Sequence, residues 1–202
     1  MMLKRLIYSL CFLVTLSAQI DRVGVQMGAN FFHHIAVDNP AGTPDGTGSS
    51  YAFGLLFTIQ EQRFSAWELS IVSDVKIARF RNVLDEDLNL IEEAQEHYRY
   101  LTFAAKYRYL FNYPQTGFNV ALGPALGVKL SSNTIASYQN GGERDYDNLE
   151  ANSLRASIIV QLGYRFNKQL FIDLAYDFGL TSSDSRSKSV FSGFQALAGW
   201  YF

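Results

Sequence analysis

The sequence of 202 residues has little cysteine, little net charge and no long apolar run. Its one cysteine is Cys11, so the remainder offers no thiol, no disulfide and no cysteine-based metal site. The formal charge is −2 and no Lys/Arg run occurs, which argues against nucleic acid as a partner. After residue 19 no stretch approaches the roughly 18 apolar residues of a membrane helix, which excludes a helical membrane protein.

The N-terminal residues predict a secretory signal peptide over residues 1–18. Lys4 and Arg5 supply the positive start, an apolar stretch follows over residues 6–16, and Ser17 and Ala18 form a small-residue exit. The apolar stretch is too short to cross a bilayer of about 30 Å as a helix. The predicted mature domain therefore covers residues 19–202.

What the sequence does contain is aromatic residues (15%) and eight segments in which apolar and polar residues alternate with a period of two. Each is about the length that a tilted β-strand needs to cross hydrocarbon. The segments are residues 22–32, 51–60, 65–78, 98–109, 117–130, 153–165, 170–180 and 190–202.

The polar faces of these segments carry small residues and isolated charges of both signs, as the interior of a narrow barrel requires. A soluble β-sandwich, the alternative, would instead show polar faces rich in Lys, Glu and Thr. Buried charges are costly unless paired. We therefore expect ion pairs between two sets of residues, the acids Glu68, Asp74, Asp173 and Asp177 and the bases Lys106, Arg108, Arg155 and Arg165.

The connections between the segments alternate strictly in length. The long ones are residues 33–50, 79–97, 131–152 and 181–189, and the short ones are residues 61–64, 110–116 and 166–169. This alternation predicts an all-β fold: an eight-stranded antiparallel up-and-down transmembrane β-barrel with long extracellular loops and short periplasmic turns. Pro124 lies within a segment and predicts a bulge or kink at Gly123-Pro124, while Val72 and Ile159 interrupt the polar faces.

Aromatic residues cluster near the segment ends, as interfacial girdles do. The predicted periplasmic rim holds Tyr107, Tyr109, Phe111, Tyr113, Tyr164, Phe166, Phe171, Trp200 and Phe202. The predicted outer rim holds Phe31, Tyr51, Tyr98 and Phe178.

The last residues resemble the C-terminal assembly signal of bacterial outer-membrane barrels. Trp200, Phe202 and the polar Gln195 fit that signal, while Leu197 departs from its usual glycine. With the signal peptide and the eight segments, the chain resembles the small OmpX- and OmpA-like barrels, and most of all the PorT-like "outer membrane protein beta-barrel domain" group of Bacteroidetes. The resemblance implies location in the outer membrane and recognition of Trp200-Tyr201-Phe202 by the barrel-assembly machinery.

Candidate chemistry is sparse. A lipid A acylase or deacylase needs a hydroxyl nucleophile, a histidine and a carboxylate near the outer rim. His33 and His34 open the first connection, Ser73 and Asp74 approach the same rim, and His97 is the third histidine of the predicted mature domain. No His-x-Ser motif of a deacylase is present. We therefore predict no catalytic residue, and we expect the histidines to be solvated loop residues.

The second long connection is acidic. Asp85, Asp87, Asn89 and Glu96 match EF-hand positions one, three, five and twelve, but Leu90 stands where the motif needs glycine. We expect a solvated loop, with one helical turn burying Leu84, Leu88 and Ile91, rather than a calcium site. No metal and no cofactor is predicted.

The leading functional hypothesis is a non-enzymatic envelope protein that displays loops for structure, adhesion or binding of an extracellular protein or glycan. Its expected surroundings are outer-membrane lipid and lipopolysaccharide. The two alternatives are a narrow small-solute porin, favoured by small inward residues, and a lipid A-modifying enzyme.

Overall fold

The computed structural model describes residues 20–36, 46–59, 62–84, 90–111, 116–138, 142–147, 152–182 and 189–202. The predicted signal peptide lies outside these residues. In the parts of the chain just given, no helix is long and apolar enough to cross a membrane.

The described residues form nine strands. They are β1 (Ile20–Ala36), β2 (Gly46–Ile59), β3 (Ser65–Leu84), β4 (Leu90–Leu110), β5 (Gly117–Tyr138), β6 (Glu143–Asp147), β7 (Leu154–Arg165), β8 (Leu170–Gly179) and β9 (Ser189–Tyr201). Eight of them close into an antiparallel barrel in which each pairs with its neighbours in the chain, apart from β6. The ring closes between β1 and β9, and β6 pairs only with β5 among the described strands. The predicted fold is confirmed.

The wall of the barrel is apolar outside and polar inside. Large apolar side chains on the outer face are about half exposed, for example Leu122 (57%), Leu162 (50%) and Phe194 (54%). Inward neighbours such as Gln161 and Arg155 are only 1% exposed. Water would disfavour so much exposed apolar surface on a monomer, whereas hydrocarbon favours it.

The two ends of the barrel differ, and we call them the turn end and the mouth. At the turn end the connections are short. The Asn167 side chain accepts hydrogen bonds from the backbone N–H groups of Gln169 and Leu170, both at 2.7 Å, and so shapes the turn between β7 and β8. At the mouth the strands extend well beyond the predicted segments.

The extension corrects the prediction of long loops. β3 runs to Leu84 and β4 starts at Leu90, so that most of the expected loop over residues 79–97 is paired strand. β5 likewise continues to Tyr138 and turns back through β6, within the expected loop over residues 131–152. The expected helical turn does not include Leu84 or Ile91, because Leu84 pairs with Leu90 and Val83 with Ile91 in a β-ladder, and Leu88 lies outside the described residues.

The predicted bulge at Gly123-Pro124 is absent. The pairing of β4 with β5 is interrupted there but resumes in the same register, from Ala104–Ala125 to Tyr107–Leu122. Pro124 lacks the N–H that a ladder needs, yet its pairing with Ile158 on β7 holds the register. The register shifts of this pair lie elsewhere, between Ile91 and Glu93 and between Arg99 and Tyr100.

Two aromatic predictions also need correction. Phe171 was expected in the aromatic girdle at the periplasmic rim and Tyr98 in the girdle at the outer rim. Both instead point into the barrel and are buried, at 1% exposure each. Tyr113 lies outside the described residues. Other residues of the predicted periplasmic rim are exposed on the outer face, as predicted, among them Tyr107, Phe166 and Phe202.

Candidate functional site

The inward residues of β4 show how the lumen is layered. From the turn end towards the mouth they are Leu110, Arg108, Lys106, Ala104, Thr102, Tyr100 and Tyr98, all buried. A charged layer, a layer of small residues and an aromatic layer therefore follow one another along the barrel axis. The same period of two that places apolar residues outside produces this inner sequence.

The first charged layer, which we call the turn-end cluster, consists of Glu68, Lys106, Arg108, Asp173 and Tyr201. Glu68 lies 2.6 Å from the Nζ of Lys106 and 2.5 Å from the Nη2 of Arg108. Arg108 also reaches both oxygens of Asp173, at 3.3 and 3.4 Å, in the bidentate geometry that its planar guanidinium favours. The Tyr201 hydroxyl donates to Glu68 at 2.9 Å.

Residues around the turn-end cluster add further hydrogen bonds to it. The Asn119 side chain accepts a short hydrogen bond from Arg108, and the Gln161 Oε1 accepts one from Lys106 at 2.7 Å. The Arg165 guanidinium lies 5.3 Å from the centre of the Tyr201 ring. The predicted pairing of Glu68 and Asp173 with Lys106 and Arg108 is therefore present in the structure.

The second charged layer, the mouth-side cluster, consists of Asn30, Asp74, Lys76, Arg155 and Asp177. Asp74 lies 3.0 Å from Lys76 and accepts a hydrogen bond of 2.5 Å from the Asn30 amide. Asp177 lies 2.6 Å from Arg155 and 3.9 Å from Lys76. Lys76 was not among the bases expected to pair with Asp74, although both residues fall on the polar face of the same segment.

An aromatic layer covers the mouth-side cluster. Phe32, Tyr98, Tyr100 and Phe191 form one buried group, with ring centres 5.4 Å apart for Phe32 and Phe191 and 5.0 Å apart for Tyr98 and Phe191. The Lys76 ammonium lies 5.4 Å from the Phe32 ring, in the range of a cation–π contact. The described part of the lumen is thus filled from Leu110 to Tyr98.

Above the aromatic layer, strand pairing extends further on one side of the mouth than on the other. β3 and β4 pair as far as Leu84 and Leu90, and β4 pairs with β5 as far as Tyr138. On the opposite side the pairing of β7 with β8 ends at Ser157–Gly179. The upper parts of β3, β4 and β5, together with β6, therefore form a four-stranded sheet that we call the projecting sheet.

The residues considered for catalysis are not brought together. His33 pairs with Thr47, which pairs with Arg79 on β3, whereas Ser73 lies about 20 Å lower on that strand at about 3.3 Å per residue. Ser73 is exposed on the outer face and Asp74 is buried in the lumen, so they point in opposite directions. His97 lies on β4 between Ile77 and Asn133.

The acidic segment does not form the considered calcium loop over the part that is described. Residues 85–89 are outside the described residues, and from Leu90 onwards the chain is extended strand. Glu96 pairs with Ala78 and accepts a hydrogen bond of 2.6 Å from the Tyr98 hydroxyl. Over the described ranges, no three His, Cys, Asp or Glu side chains are arranged to hold a metal ion.

Comparisons with known proteins agree with this geometry. The family model of the outer membrane protein beta-barrel domain matches residues 43–185. Neisserial surface protein A (NspA) has the same fold: it is 11% identical, with a TM-score of 0.57 over 89% of this chain and 97% of that one. No curated protein sequence matches the chain.

Two further solved structures align with lower scores. Ail of Yersinia pestis, crystallised with the heparin analogue sucrose octasulfate, is 13% identical, with a TM-score of 0.49 over 90% of this chain and 98% of that one. The outer membrane protease OmpT of Escherichia coli is 7% identical, with a TM-score of 0.46 over 90% of this chain and 96% of that one.

Proposed function

This chain belongs to the family of outer membrane protein beta-barrel domains and lies in the bacterial outer membrane, and from that premise we propose that it is a non-enzymatic binding scaffold. The barrel anchors the chain in lipid, and the projecting sheet presents a surface to extracellular protein or glycan. Export through a signal peptide over residues 1–18 belongs to the same proposal.

The observation that carries the proposal is the filled lumen. Two ion clusters and an aromatic layer occupy successive levels, and side chains such as Arg108 and Arg155 are at most 1% exposed there. A porin of small solutes needs a continuous aqueous path, which eight strands provide only when inward side chains leave it open. The packing of the described lumen therefore favours a scaffold over a channel.

The placement of the considered catalytic residues supports the same choice. A lipid A-modifying site needs its histidine, hydroxyl and carboxylate within hydrogen-bond reach of one another. His33 and Ser73 lie at different heights of the barrel, and Asp74 is held by Lys76 and Asn30 inside it. An enzyme of this class would need a different set of residues.

The projecting sheet is the described region that reaches furthest from the membrane. It places polar side chains such as Asn133, Glu143 and Asp145 in exposed or half-exposed positions. Asn133 donates a hydrogen bond to Asp145 and so links β5 with β6. A hydrogen-bonded sheet with polar groups suits recognition, since paired strands have less conformational freedom to lose on binding than an unpaired loop.

The C-terminal strand supports a second partner. Trp200 and Phe202 are exposed on the outer face at 40% and 77%, while Tyr201 is buried in the lumen. This alternation presents two aromatic rings outwards, as the proposed contact with the barrel-assembly machinery requires. Outer-membrane lipid then covers the same face of the assembled barrel.

Conductance of the purified chain in a planar lipid bilayer tests the filled lumen. We expect no steady ion current at moderate voltage, because the ion clusters and the aromatic layer leave no open path. Parallel mass spectra of lipid A, from cells with and without the chain, should be identical. A reproducible unitary current would overturn the scaffold in favour of a porin, and a changed spectrum in favour of an enzyme.

Deletion of the hairpin of β5 and β6 over residues 133–147 tests the binding surface. Cells that display the full chain should adhere to members of a panel of immobilised glycans and extracellular proteins, and the deletion should reduce that adhesion to background. The double variant Glu143→Gln, Asp145→Asn keeps the hairpin but removes two of its negative charges. It therefore tests whether adhesion depends on the charge of the hairpin or on its shape. Folding is checked by heat-modifiable migration on gels; unchanged adhesion of the folded deletion variant would contradict the proposal.

A further inference from the structure

A small cavity lies in the lumen between the turn-end cluster and the mouth-side cluster. Its volume is about 20 Å³. Residues from both clusters and from the layer of small residues line it, among them Gln26, Thr102, Ala104, Gln161 and Asp177. A cavity needs about 10–15 Å³ by this measure to hold a water molecule, so the site has room for one.

Four side chains that line this cavity carry a buried polar atom with no hydrogen-bond partner among the described residues. The atoms are Gln26 Oε1, Thr102 Oγ1, Gln161 Nε2 and Asp177 Oδ1. The four residues are all more than nine-tenths buried, at 3%, 7%, 1% and 3% exposure. Leaving such atoms unpaired is costly, because each has lost its hydrogen bonds to bulk water, so a shared partner would be strongly favoured.

The orientation of the Gln161 amide is fixed by its neighbour. Its Oε1 accepts a hydrogen bond from the Lys106 ammonium at 2.7 Å, which a donor Nε2 in that place could not do. The Nε2 is therefore the atom that remains unpaired. This atom carries N–H donors, whereas the unpaired atoms of Gln26 and Asp177, Oε1 and Oδ1, are acceptors.

We propose that the cavity binds one ordered water molecule that joins the two ion clusters. The water donates to Gln26 Oε1 and Asp177 Oδ1, and it accepts from the Gln161 amide and the Thr102 hydroxyl. Two donors and two acceptors complement the hydrogen-bonding capacity of a single water.

The chemistry of the same four groups disfavours a monovalent cation. A cation needs oxygen ligands from every side, whereas the Gln161 Nε2 presents hydrogens. The lining also includes Lys106, whose ammonium would repel a second positive charge at this range. A neutral ligand with both donor and acceptor capacity fits the site better.

The bound water extends the hydrogen-bonded network along the lumen. From Asp177 the chain of contacts passes through the water to Gln161, then to Lys106 and Glu68. Without the water, the layer of Ala104 and Thr102 would separate the two clusters. The site thus makes the contents of the lumen one connected network.

A crystal structure at better than about 2 Å tests the water directly. We expect a density peak in the cavity with neighbours at hydrogen-bond distances, near 2.7–3.2 Å. Crystals grown with rubidium as the monovalent cation should show no anomalous signal at that position. No peak in the wild-type protein, or an anomalous rubidium peak, would overturn the proposal.

Water-¹⁷O relaxation dispersion of the folded barrel gives a second readout that needs no crystal. Thr102→Val removes one hydrogen-bond partner without changing the side-chain shape, and Ala104→Val fills the cavity. The filling variant should lose the contribution of one long-lived water, and Thr102→Val should shorten its residence time. Thr134→Val is the control, because Thr134 is also buried (4% exposed) but does not line the cavity. An equal effect of Thr134→Val and Ala104→Val would contradict the assignment.

Discussion

The turn-end cluster and the mouth-side cluster each hold two carboxylates, yet they compensate them differently. In the turn-end cluster Arg108 contacts both Glu68 and Asp173, and Lys106 gives Glu68 a second cation. In the mouth-side cluster each carboxylate has one cation within about 3 Å, Lys76 for Asp74 and Arg155 for Asp177. The first cluster therefore depends on one residue, whereas the second is divided into two pairs that are loosely joined.

The largest expected effect follows from removing the shared cation. Arg108→Met removes the cation that contacts Asp173 and one of the two cations that contact Glu68, deep inside the barrel. Breaking a buried ion pair from one side costs about 3–5 kcal/mol, and we expect a loss of that size in the free energy of unfolding. The measurement is reversible denaturant unfolding in lipid vesicles, followed by tryptophan fluorescence.

Arg99→Met is the matched control for this change, because Arg99 lies on the same strand but is exposed. Its effect should stay within about 0.5 kcal/mol, as for most surface substitutions. Equal effects of the two substitutions would show that Arg108 is not the centre of the turn-end cluster.

A smaller effect is expected in the mouth-side cluster. Asp177→Asn keeps a carbonyl oxygen for Arg155 but removes the negative charge, and Lys76 retains Asp74. Because the amide oxygen still accepts a hydrogen bond from Arg155, only the charge of the pair is lost, and we expect a loss in the free energy of unfolding below the ~3–5 kcal/mol that breaking a buried ion pair costs. A loss equal to that of Arg108→Met, in the same vesicles, would mean that the two clusters do not differ in the way described.

The smallest change in the free energy of unfolding is expected from substituting glycines, and two glycines at different heights of the barrel can be compared. A Cβ at Gly163 would lie 2.0 Å from an oxygen of Asp173, which Arg108 holds in place, so Gly163→Ala should cost about 1–3 kcal/mol. A Cβ at Gly127, nearer the mouth, would meet nothing closer than the Thr102 hydroxyl at 3.3 Å. Gly127→Ala should therefore be close to neutral in the same unfolding assay; a larger loss for Gly127→Ala than for Gly163→Ala would reverse the comparison.

The sequence predicts the membrane-spanning part of the strands well because lipid imposes a strict rule there. In hydrocarbon every outward residue must be apolar, so that Phe118, Val120 and Leu122 alternate visibly with Asn119 and Ala121. The ends of the strands at the turn end are predicted well for the same reason. The predicted start of β5 at residue 117 agrees with the structure.

Above the lipid that rule no longer applies, and the prediction fails there. From Ser131 to Ser137 both faces of β5 are mostly polar or small, so no alternation marks the strand. The alternation of apolar and polar residues also does not predict which charged residues pair across strands. Lys76 and Asp74 are two residues apart on one face of β3, so the period of two already places them side by side. The pairing of Arg155 on β7 with Asp177 on β8 depends instead on the register between strands, and the cavity depends on side chains from strands far apart in the chain.

The pairing of β1 with β9 has a consequence for biogenesis. It joins Gly24 to Tyr201 and Ala36 to Ser189, so the first strand finds its second neighbour only when the last strand is present. Until then two strand edges carry unsatisfied backbone groups, which hydrocarbon tolerates poorly. Such long-range contacts also make folding slow. Insertion into the membrane and sealing of the cylinder must therefore be completed together, late in the maturation of the polypeptide.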